Sequence, residues 1–253
     1  MGPITHSDVT RAPLPPPLQG QCLHLFIDIF YVNKIAFFVS KTRDVNFIMV
    51  TTLKSRSASQ LIKAIGDHID KYEMRGFELT NIHADNEFNF LDFEHAICPS
   101  LLHAYAKEEH VGFIENCNKV VKEHARVAVN GLLYKRYPKL MTMSLIEHIT
   151  DLLNLFPSKG SISQNMSPAT IVEGKPKIDF KQKRLPYGAY AQVWIGTKNN
   201  MMQRAVPGIA LKASNSKGGF YFMSLYTGKR INSYVWEELP ISDKVIERVE
   251  EIA

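Results

Sequence analysis

The sequence predicts an α/β domain followed by a small, mainly β module. Strand-like apolar runs alternate with helical stretches over the first 160 residues, a mixture typical of an α/β fold. From about residue 189, short apolar runs separated by glycine turns indicate an all-β module. Charge supports the division. Gly174–Arg230 holds eleven basic residues against one acid, Asp179, so this segment carries +10, and the rest carries −5 of a total of +5.

The α/β part begins with three predicted strands that form an antiparallel meander. Ser57 is a suitable N-cap for a helix whose apolar positions repeat every 3.6 residues. Ser144, with Glu147 three residues later, predicts the capped start of another helix. The predicted strands are Leu23–Tyr31, Ile35–Ser40, Asn46–Thr52, Phe77–Ala84 and about Ile97–His103. The helix that Ser57 caps lies between the third and fourth strands, and two further helices are predicted from about Glu109 to Val129 and from Ser144 to Phe156.

The C-terminal part is predicted from turns and short runs. Gly218-Gly219 and Thr227-Gly228 mark two turns, and an acidic helix is expected from Ser242. Its predicted strands are Ala189–Ile195, Ile209–Ala213, Gly219–Leu225 and Arg230–Val235. We therefore expect a proline-rich tail or linker over 1–20, a core over 21–160, a linker over 161–188, and a basic β module with its C-terminal helix over 189–253.

Composition excludes several classes of function. The chain has 253 residues, of which 45% are hydrophobic and 22% charged, as in ordinary globular proteins. No apolar run reaches the ~18 residues of a membrane span, and residues 1–20 lack a signal-peptide core. Three widely spaced cysteines suit a reducing compartment, and Cys98, His103 and His110 match no compact zinc spacing. Neither a Walker loop nor a dinucleotide glycine motif occurs.

Three acids are candidates for metal-dependent chemistry. Asp28 interrupts an apolar strand, where an ionised acid is rare unless it is paired or bound to metal. Asp85 follows the fourth predicted strand, and Glu115 lies early in the long helix. Carboxylates from a central strand, a neighbouring strand end and a covering helix can converge. Such a group suits Mg²⁺, and two ions could activate a water or a 3′-hydroxyl and stabilise the leaving oxygen of a phosphodiester.

Each acid also has a plainer interpretation. Asp28 could point outward from its strand, Asp85 could form a turn, and Glu115 could be a surface helix residue. Alternatives to Asp85 itself follow it closely in the chain: Glu87, Asp92 and Glu94.

The long helix carries a basic stripe that begins at its acid. At 100° per residue, Lys119, Lys122 and Arg126 share one face with Glu115. The opposite face is apolar and contains Ile114, Cys117, Val121, Ala125 and Ala128. A metal-binding acid followed by cations along one groove suits a passing phosphate backbone. Ordinary Glu-to-Lys pairing four residues apart would also explain the stripe, although it would not explain Asp28 and Asp85.

Short segments across most of the chain carry a family resemblance. From about Cys22 to Ala253 the sequence resembles the integrase region of a copia-type retrotransposon polyprotein. The order and number of the similar segments support the match more than any one of them. They are Phe26–Ile29 with Phe37–Ser40, His83–Phe88, His110–Glu115, Ser167–Val172, Tyr187–Val193, Gly218–Phe222 and Trp236–Pro240.

The resemblance implies an RNase H-like core, a mixed five-stranded sheet with flanking helices, over 21–160. It implies that Asp28, Asp85 and Glu115 form the catalytic triad and bind Mg²⁺ or Mn²⁺, as two ions. The implied reaction is 3′-end processing and strand transfer of element DNA into target DNA. Lys119 and Lys122, one and two turns after the glutamate, would contact double-stranded DNA. Further expected DNA contacts are Arg126, Lys183 and Arg184.

The same resemblance implies how the protein assembles and where it acts. We expect a homo-oligomer on DNA, no membrane partner, and a nuclear location after a cytoplasmic particle stage, without secretion. The chain lacks the family's N-terminal His/Cys module and its protease and reverse-transcriptase segments, so it is expected to be a fragment, a processed piece, or a decayed or domesticated copy.

The sequence departs from the family pattern near the triad. Only 30 positions separate Asp85 from Glu115, Asn86-Glu87 stands in place of the frequent Asn-Gly, and Asn116 replaces a basic residue. One alternative is therefore a catalytically inactive integrase-like protein that binds nucleic acid. Another is a structural protein that binds a partner through its proline-rich tail and acidic end.

Overall fold

A computed structural model of the chain describes residues 20–105, 112–174, 185–196, 201, 203–214 and 218–253. They form two compact units. The first contains the described parts of Val9–Glu123 and Ile149–Ile178, and the second contains those of His124–His148 and Asp179–Ala253. The predicted tail lies outside the described residues except for Gly20. The predicted domain boundaries stay predictions, since a compact unit is not evidence of independent folding.

The first unit is built on one mixed sheet. Its strand order is β3-β2-β1-β4-β5, with β1 to β3 antiparallel and with β4 and β5 parallel to β1. This arrangement is that of an RNase H-like core, so the predicted fold class is confirmed. The elements are β1 (Cys22–Val32), β2 (Ile35–Thr42), β3 (Ile48–Leu53), α1 (Ala58–Glu73), β4 (Glu78–Asp85), α2 (Leu91–Ile97), β5 (Leu101–Tyr105), α3 (Gly112–Asn130), α4 (Lys139–Leu153) and α5 (Pro168–Glu173), of which α3 and α4 also contribute to the second unit.

The alternation of β1 divides its side chains between two faces of the sheet. Leu23, Leu25 and Ile27 are buried in a core that includes Leu61 and Ile65 of α1. The residues between them face α3. Phe26 contacts Phe113, Asp28 contacts Asn118, and Phe30 contacts Lys122. Asp28 therefore lies on the face of the sheet that α3 covers.

Several elements differ from the sequence prediction, among them α5, which was not predicted and lies within the expected linker over 161–188. Helix α2 (Leu91–Ile97) was not expected, and β5 begins at Leu101, because Ile97 ends that helix. Helix α4 begins at Lys139, so Ser144 is a buried residue inside the helix and not its cap. The physical reason is that Pro138 precedes the first turn, where its carbonyl accepts a 2.9 Å hydrogen bond from the amide of Met141.

The second unit contains a five-stranded antiparallel sheet in the order β10-β6-β7-β8-β9. It comprises β6 (Tyr190–Trp194), β7 (Ala205–Ala213), β8 (Phe220–Ser224), β9 (Arg230–Ser233), β10 (Trp236–Glu238) and the terminal helix α6 (Asp243–Ile252). Helix α6 follows Ser242, as predicted, and buries Val245 and Val249 with Ile209 and Leu211 of β7. The expected mainly β C-terminal module is thus confirmed. None of the helices in the described ranges is long and apolar enough to cross a membrane.

Candidate functional site

Asp28 lies at the centre of the sheet and is half-buried. The amide of Ile29 donates a 2.6 Å hydrogen bond to its Oδ1, and the side-chain Nδ2 of Asn118 on α3 donates a 2.6 Å bond to its Oδ2. Both carboxylate oxygens are therefore oriented by donors, one from the same strand and one from the helix that covers it.

Asp85 and Glu115 reach the same neighbourhood from two other elements. Asp85 is the last residue of β4, the parallel neighbour of β1, and Glu115 lies in the first turn of α3; both are exposed. Burial raises the pKa of Asp28, and the negative charges of Asp85 and Glu115 raise it further, while the hydrogen bonds from Ile29 and Asn118 oppose the rise. Asp28 thus lies within electrostatic range of both other predicted acids.

The donor chemistry of these acids fits a hard divalent cation, because all three offer carboxylate oxygens. Asn118 adds a buried carboxamide oxygen, Oδ1, that has no hydrogen-bond partner within the described residues. In the described part of the chain, no three His, Cys, Asp or Glu side chains are grouped closely enough to hold an ion.

The predicted cations of α3 follow the expected helical face. Lys119 is exposed, and the half-buried Lys122 places its Nζ 5.5 Å from the centre of the Phe30 ring. Arg126 is exposed and lies in the part of α3 that belongs to the second unit. Lys183 and Arg184 lie outside the described residues. Their proposed DNA contacts, like the catalytic roles of the acids, stay predictions.

The sequence reasoning missed two groups beside the acids. One is Asn118, whose only signal was its position one helical turn after Glu115. The other is a pair of cations at the end of β2. Lys41 lies 4.6 Å from the centre of the Phe113 ring, and the Arg43 guanidinium lies 5.0 Å from that of Phe26. Val39 is the cross-strand partner of Asp28, and Lys41 and Arg43 follow it at intervals of two residues. They therefore lie on the face of Asp28, but this placement requires the register between β1 and β2, which the sequence does not contain.

His83, two residues before Asp85, is a neutral ring in this environment. Its burial and the nearby His103, His24 and Arg43 lower its pKa to about 4. Its Nδ1 lies 2.8 Å from the hydroxyl of Tyr105, and its Nε2 lies 3.3 Å from Nδ1 of His24. The imidazole therefore has a partner on both nitrogens.

Comparison with known proteins finds likeness in structure and none in sequence. No protein-family model matches the chain, and no curated protein sequence matches it. Among solved structures, the chain is similar to the catalytic core domain of BIV integrase, with 13% sequence identity and a TM-score of 0.44. The similarity covers 59% of this chain and 93% of that domain.

Proposed function

We propose that this protein is a metal-dependent polynucleotidyl transferase of the integrase type, from a copia-type retrotransposon. It would process the 3′ ends of element DNA and join them to target DNA. The observation that supports this most directly is the electrostatic coupling of Asp28 to Asp85 and Glu115, three acids from separate elements of an RNase H-like core. A single surface acid would show no such coupling.

Each acidic residue has a defined part in this proposal. Asp28, Asp85 and Glu115 would hold Mg²⁺ or Mn²⁺, as two ions, which when bound activate the attacking hydroxyl and stabilise the leaving oxygen. The repulsion that raises the Asp28 pKa also favours cation binding, since a cation neutralises the acids that repel one another. Ile29 and Asn118 act as positioning groups because they fix both Asp28 oxygens.

The basic residues would hold the DNA. Lys119 and Lys122 follow Glu115 along α3, so a phosphate backbone bound to them passes the acids. The partners in this proposal are double-stranded element ends and target DNA, bound by a homo-oligomer. The site of action would be the nucleus, after a cytoplasmic particle stage.

The second candidate is a protein of the same fold that binds nucleic acid without catalysis. The observation that favours it is that the acids form no close group of possible metal ligands within the described residues. Such a protein would bind DNA in a salt-dependent manner. It would neither cleave nor join the DNA, with or without metal.

An oligonucleotide joining assay separates the two candidates. The purified 253-residue chain is incubated with a labelled blunt duplex and a plasmid target, with Mg²⁺, with Mn²⁺ or with EDTA. The integrase proposal expects shortened 3′ ends and covalently joined products only in the metal-containing reactions. Salt-dependent DNA binding without either product in any metal would support the non-catalytic candidate instead.

Charge reversal on α3 tests the DNA-binding face. For Lys119→Glu we expect weaker duplex binding. The plot of log affinity against log salt has a negative slope, and its magnitude should decrease by about 1, since one phosphate contact is lost. Adding Lys122→Glu should decrease this magnitude again. Binding is measured by fluorescence anisotropy across a salt series.

The matched control for this series is Lys63→Glu. Lys63 is an exposed residue of α1, the helix that packs on the other face of the sheet. Because the control makes the same change in net charge, an equal loss in Lys63→Glu and Lys119→Glu would contradict a specific role for α3.

A further inference from the structure

Three aromatic rings form a continuous stack across the sheet beside the acids. Phe26, His83 and His103 are cross-strand partners on β1, β4 and β5. The ring centres of Phe26 and His83 are 4.4 Å apart with planes 14° from parallel, and those of His83 and His103 are 5.1 Å apart at 18°. Together these three side chains form the ring stack.

Hydrogen bonds orient the two histidines of the ring stack. Nε2 and Nδ1 of His83 have His24 and Tyr105 as partners, and Nε2 of His103 lies 2.7 Å from Oδ1 of Asn81. Rings held in this way lose little conformational entropy when another ring packs on them. The stack is therefore preorganised for a flat ligand.

The two ends of the ring stack differ. At the Phe26 end, the Arg43 guanidinium lies over the ring at 5.0 Å, and Lys41 lies close by over Phe113. At the other end, His103 is exposed on β5, the last strand in the order, and no described strand pairs with its outer side. One face of the His103 ring packs toward His83, and His103 is exposed, so it is the solvent-accessible end of the ring stack.

We infer that the solvent-accessible end of the ring stack, at His103, accepts an unpaired base of a nucleic-acid strand. A base is a flat aromatic ring, and stacking on aromatic side chains is how proteins bind single-stranded segments. The cations Lys41 and Arg43 on the same face suit a ligand that carries phosphates.

Distance along the sheet links this subsite to the acids. Asp85 lies two residues beyond His83, the cross-strand partner of His103. Strand spacing of about 4.8 Å and a rise of about 3.3 Å per residue place the Asp85 and His103 backbones roughly 8 Å apart. A base bound at His103 would thus lie within about two nucleotides of Asp85. This inference rests on the proposed function and deepens it, because it assigns the acids a strand that is locally unpaired.

The inference is tested by binding alone, with the full chain and in EDTA. The probe is a fluorescein-labelled 12-nucleotide single strand, and its matched control is an abasic strand of equal length and charge. We expect the strand with bases to bind more tightly. In His103→Ala this preference should fall by about fivefold or more, which is the lower range of one lost stacking contact. His103→Phe keeps a stacking ring and should retain the preference.

Controls separate stacking from changes in folding. His95→Ala removes an exposed histidine of α2 that is outside the ring stack and should leave the preference unchanged. Circular dichroism melting establishes that each variant is folded. Equal binding of the abasic and base-containing strands by the wild type, no single-strand binding, or an unchanged preference in His103→Ala would overturn the inference. The last result would also fit a partner that pairs with the β5 backbone, which does not need the ring.

The result is independent of the proposed catalysis. Base-dependent binding without joining activity would support the subsite at His103 and contradict the transferase proposal. Joining activity with an unchanged preference in His103→Ala would support the transferase proposal and contradict the subsite.

Discussion

Replacing Asp28 with asparagine is expected to abolish strand transfer and to raise the melting temperature at pH 7. The loss follows from removing one of three carboxylates that would hold the metal. Single substitutions of groups that stabilise a transition state electrostatically reduce rates by about 10²- to 10³-fold, and a metal ligand should reach at least that range. Joined products are measured by gel in Mg²⁺ and in Mn²⁺.

The gain in stability follows from the direction of the Asp28 pKa shift. Burial and the charges of Asp85 and Glu115 raise the pKa in the folded state above its ordinary value of 3.8, so the folded protein binds this proton more tightly than the unfolded chain. Stability therefore falls as pH rises from 3.8 through the folded pKa, and above it the charged carboxylate destabilises the fold. Asparagine removes that charge.

The asparagine can also keep the local hydrogen bonds. Its Oδ1 can accept from the amide of Ile29, and its Nδ2 can donate to Asn118 if that amide turns its unpartnered Oδ1 inward. Thermal melts at several pH values should show the difference between variant and wild type shrinking as pH falls toward 3.8.

The control for both measurements is Asp67→Asn. Asp67 is an exposed acid in the middle of α1, so this variant makes the same change in net charge and should alter neither joining nor melting. An Asp28→Asn protein that joins DNA at the wild-type rate would contradict the catalytic assignment. A variant that melts lower at pH 7, with a difference that does not depend on pH, would contradict the electrostatic explanation.

The parts of this fold that the sequence predicts are those with local periodicity. Strand β1 and helix α1 bury residues at intervals of two and of three to four, and both were located within a few residues. Helix α2 has only seven residues, too few to establish a helical period, and it was missed. Ser144 and Glu147 have the spacing of a capping box, yet the buried Met141 continues the apolar face of α4 towards Pro138.

The residues of the candidate site also fall into those that the local sequence predicts and those that only the tertiary structure reveals. Each of the three acids is predictable because it is unusual in its local sequence or marks the end of an element. Asn118 has no such mark, and its contact with Asp28 spans 90 positions. The ring stack depends on the register that pairs Phe26 with His83 and His83 with His103. That register depends on how the connecting segments pack, which no short sequence pattern contains.

Asn154 is the clearest case of a stabilising residue that only the structure reveals. It directly follows α4 and is buried. Its Nδ2 donates a 2.7 Å hydrogen bond to the carbonyl of Ile48, and its Oδ1 accepts a 2.8 Å bond from the amide of the same residue. Ile48 begins β3, the strand at one end of the sheet order. The carboxamide thus pairs with β3 as the backbone of a neighbouring strand would.

For Asn154→Ala we expect a large loss of stability. Two buried backbone groups of Ile48 would lose their partner, at about 1–3 kcal/mol for each. For a chain of this size, a loss of about 2–6 kcal/mol lowers the melting temperature by roughly 2–4 °C per kcal/mol. Asn154→Asp keeps the shape and the acceptor, but it loses the donor and buries a charge, so it should be destabilised as well.

The matched control truncates an exposed amide. Asn116→Ala, on the surface of α3, should change the melting temperature by less than about 2 °C, since surface substitutions usually stay within about 0.5 kcal/mol. Thermal melting by circular dichroism gives all three values. If the melting temperature of Asn154→Ala equals that of the control, water or a shift of β3 must supply hydrogen bonds to the backbone of Ile48. The carboxamide would then not stabilise the edge of the sheet. If only Asn154→Asp is destabilised, the buried charge explains the loss and the paired hydrogen bonds do not.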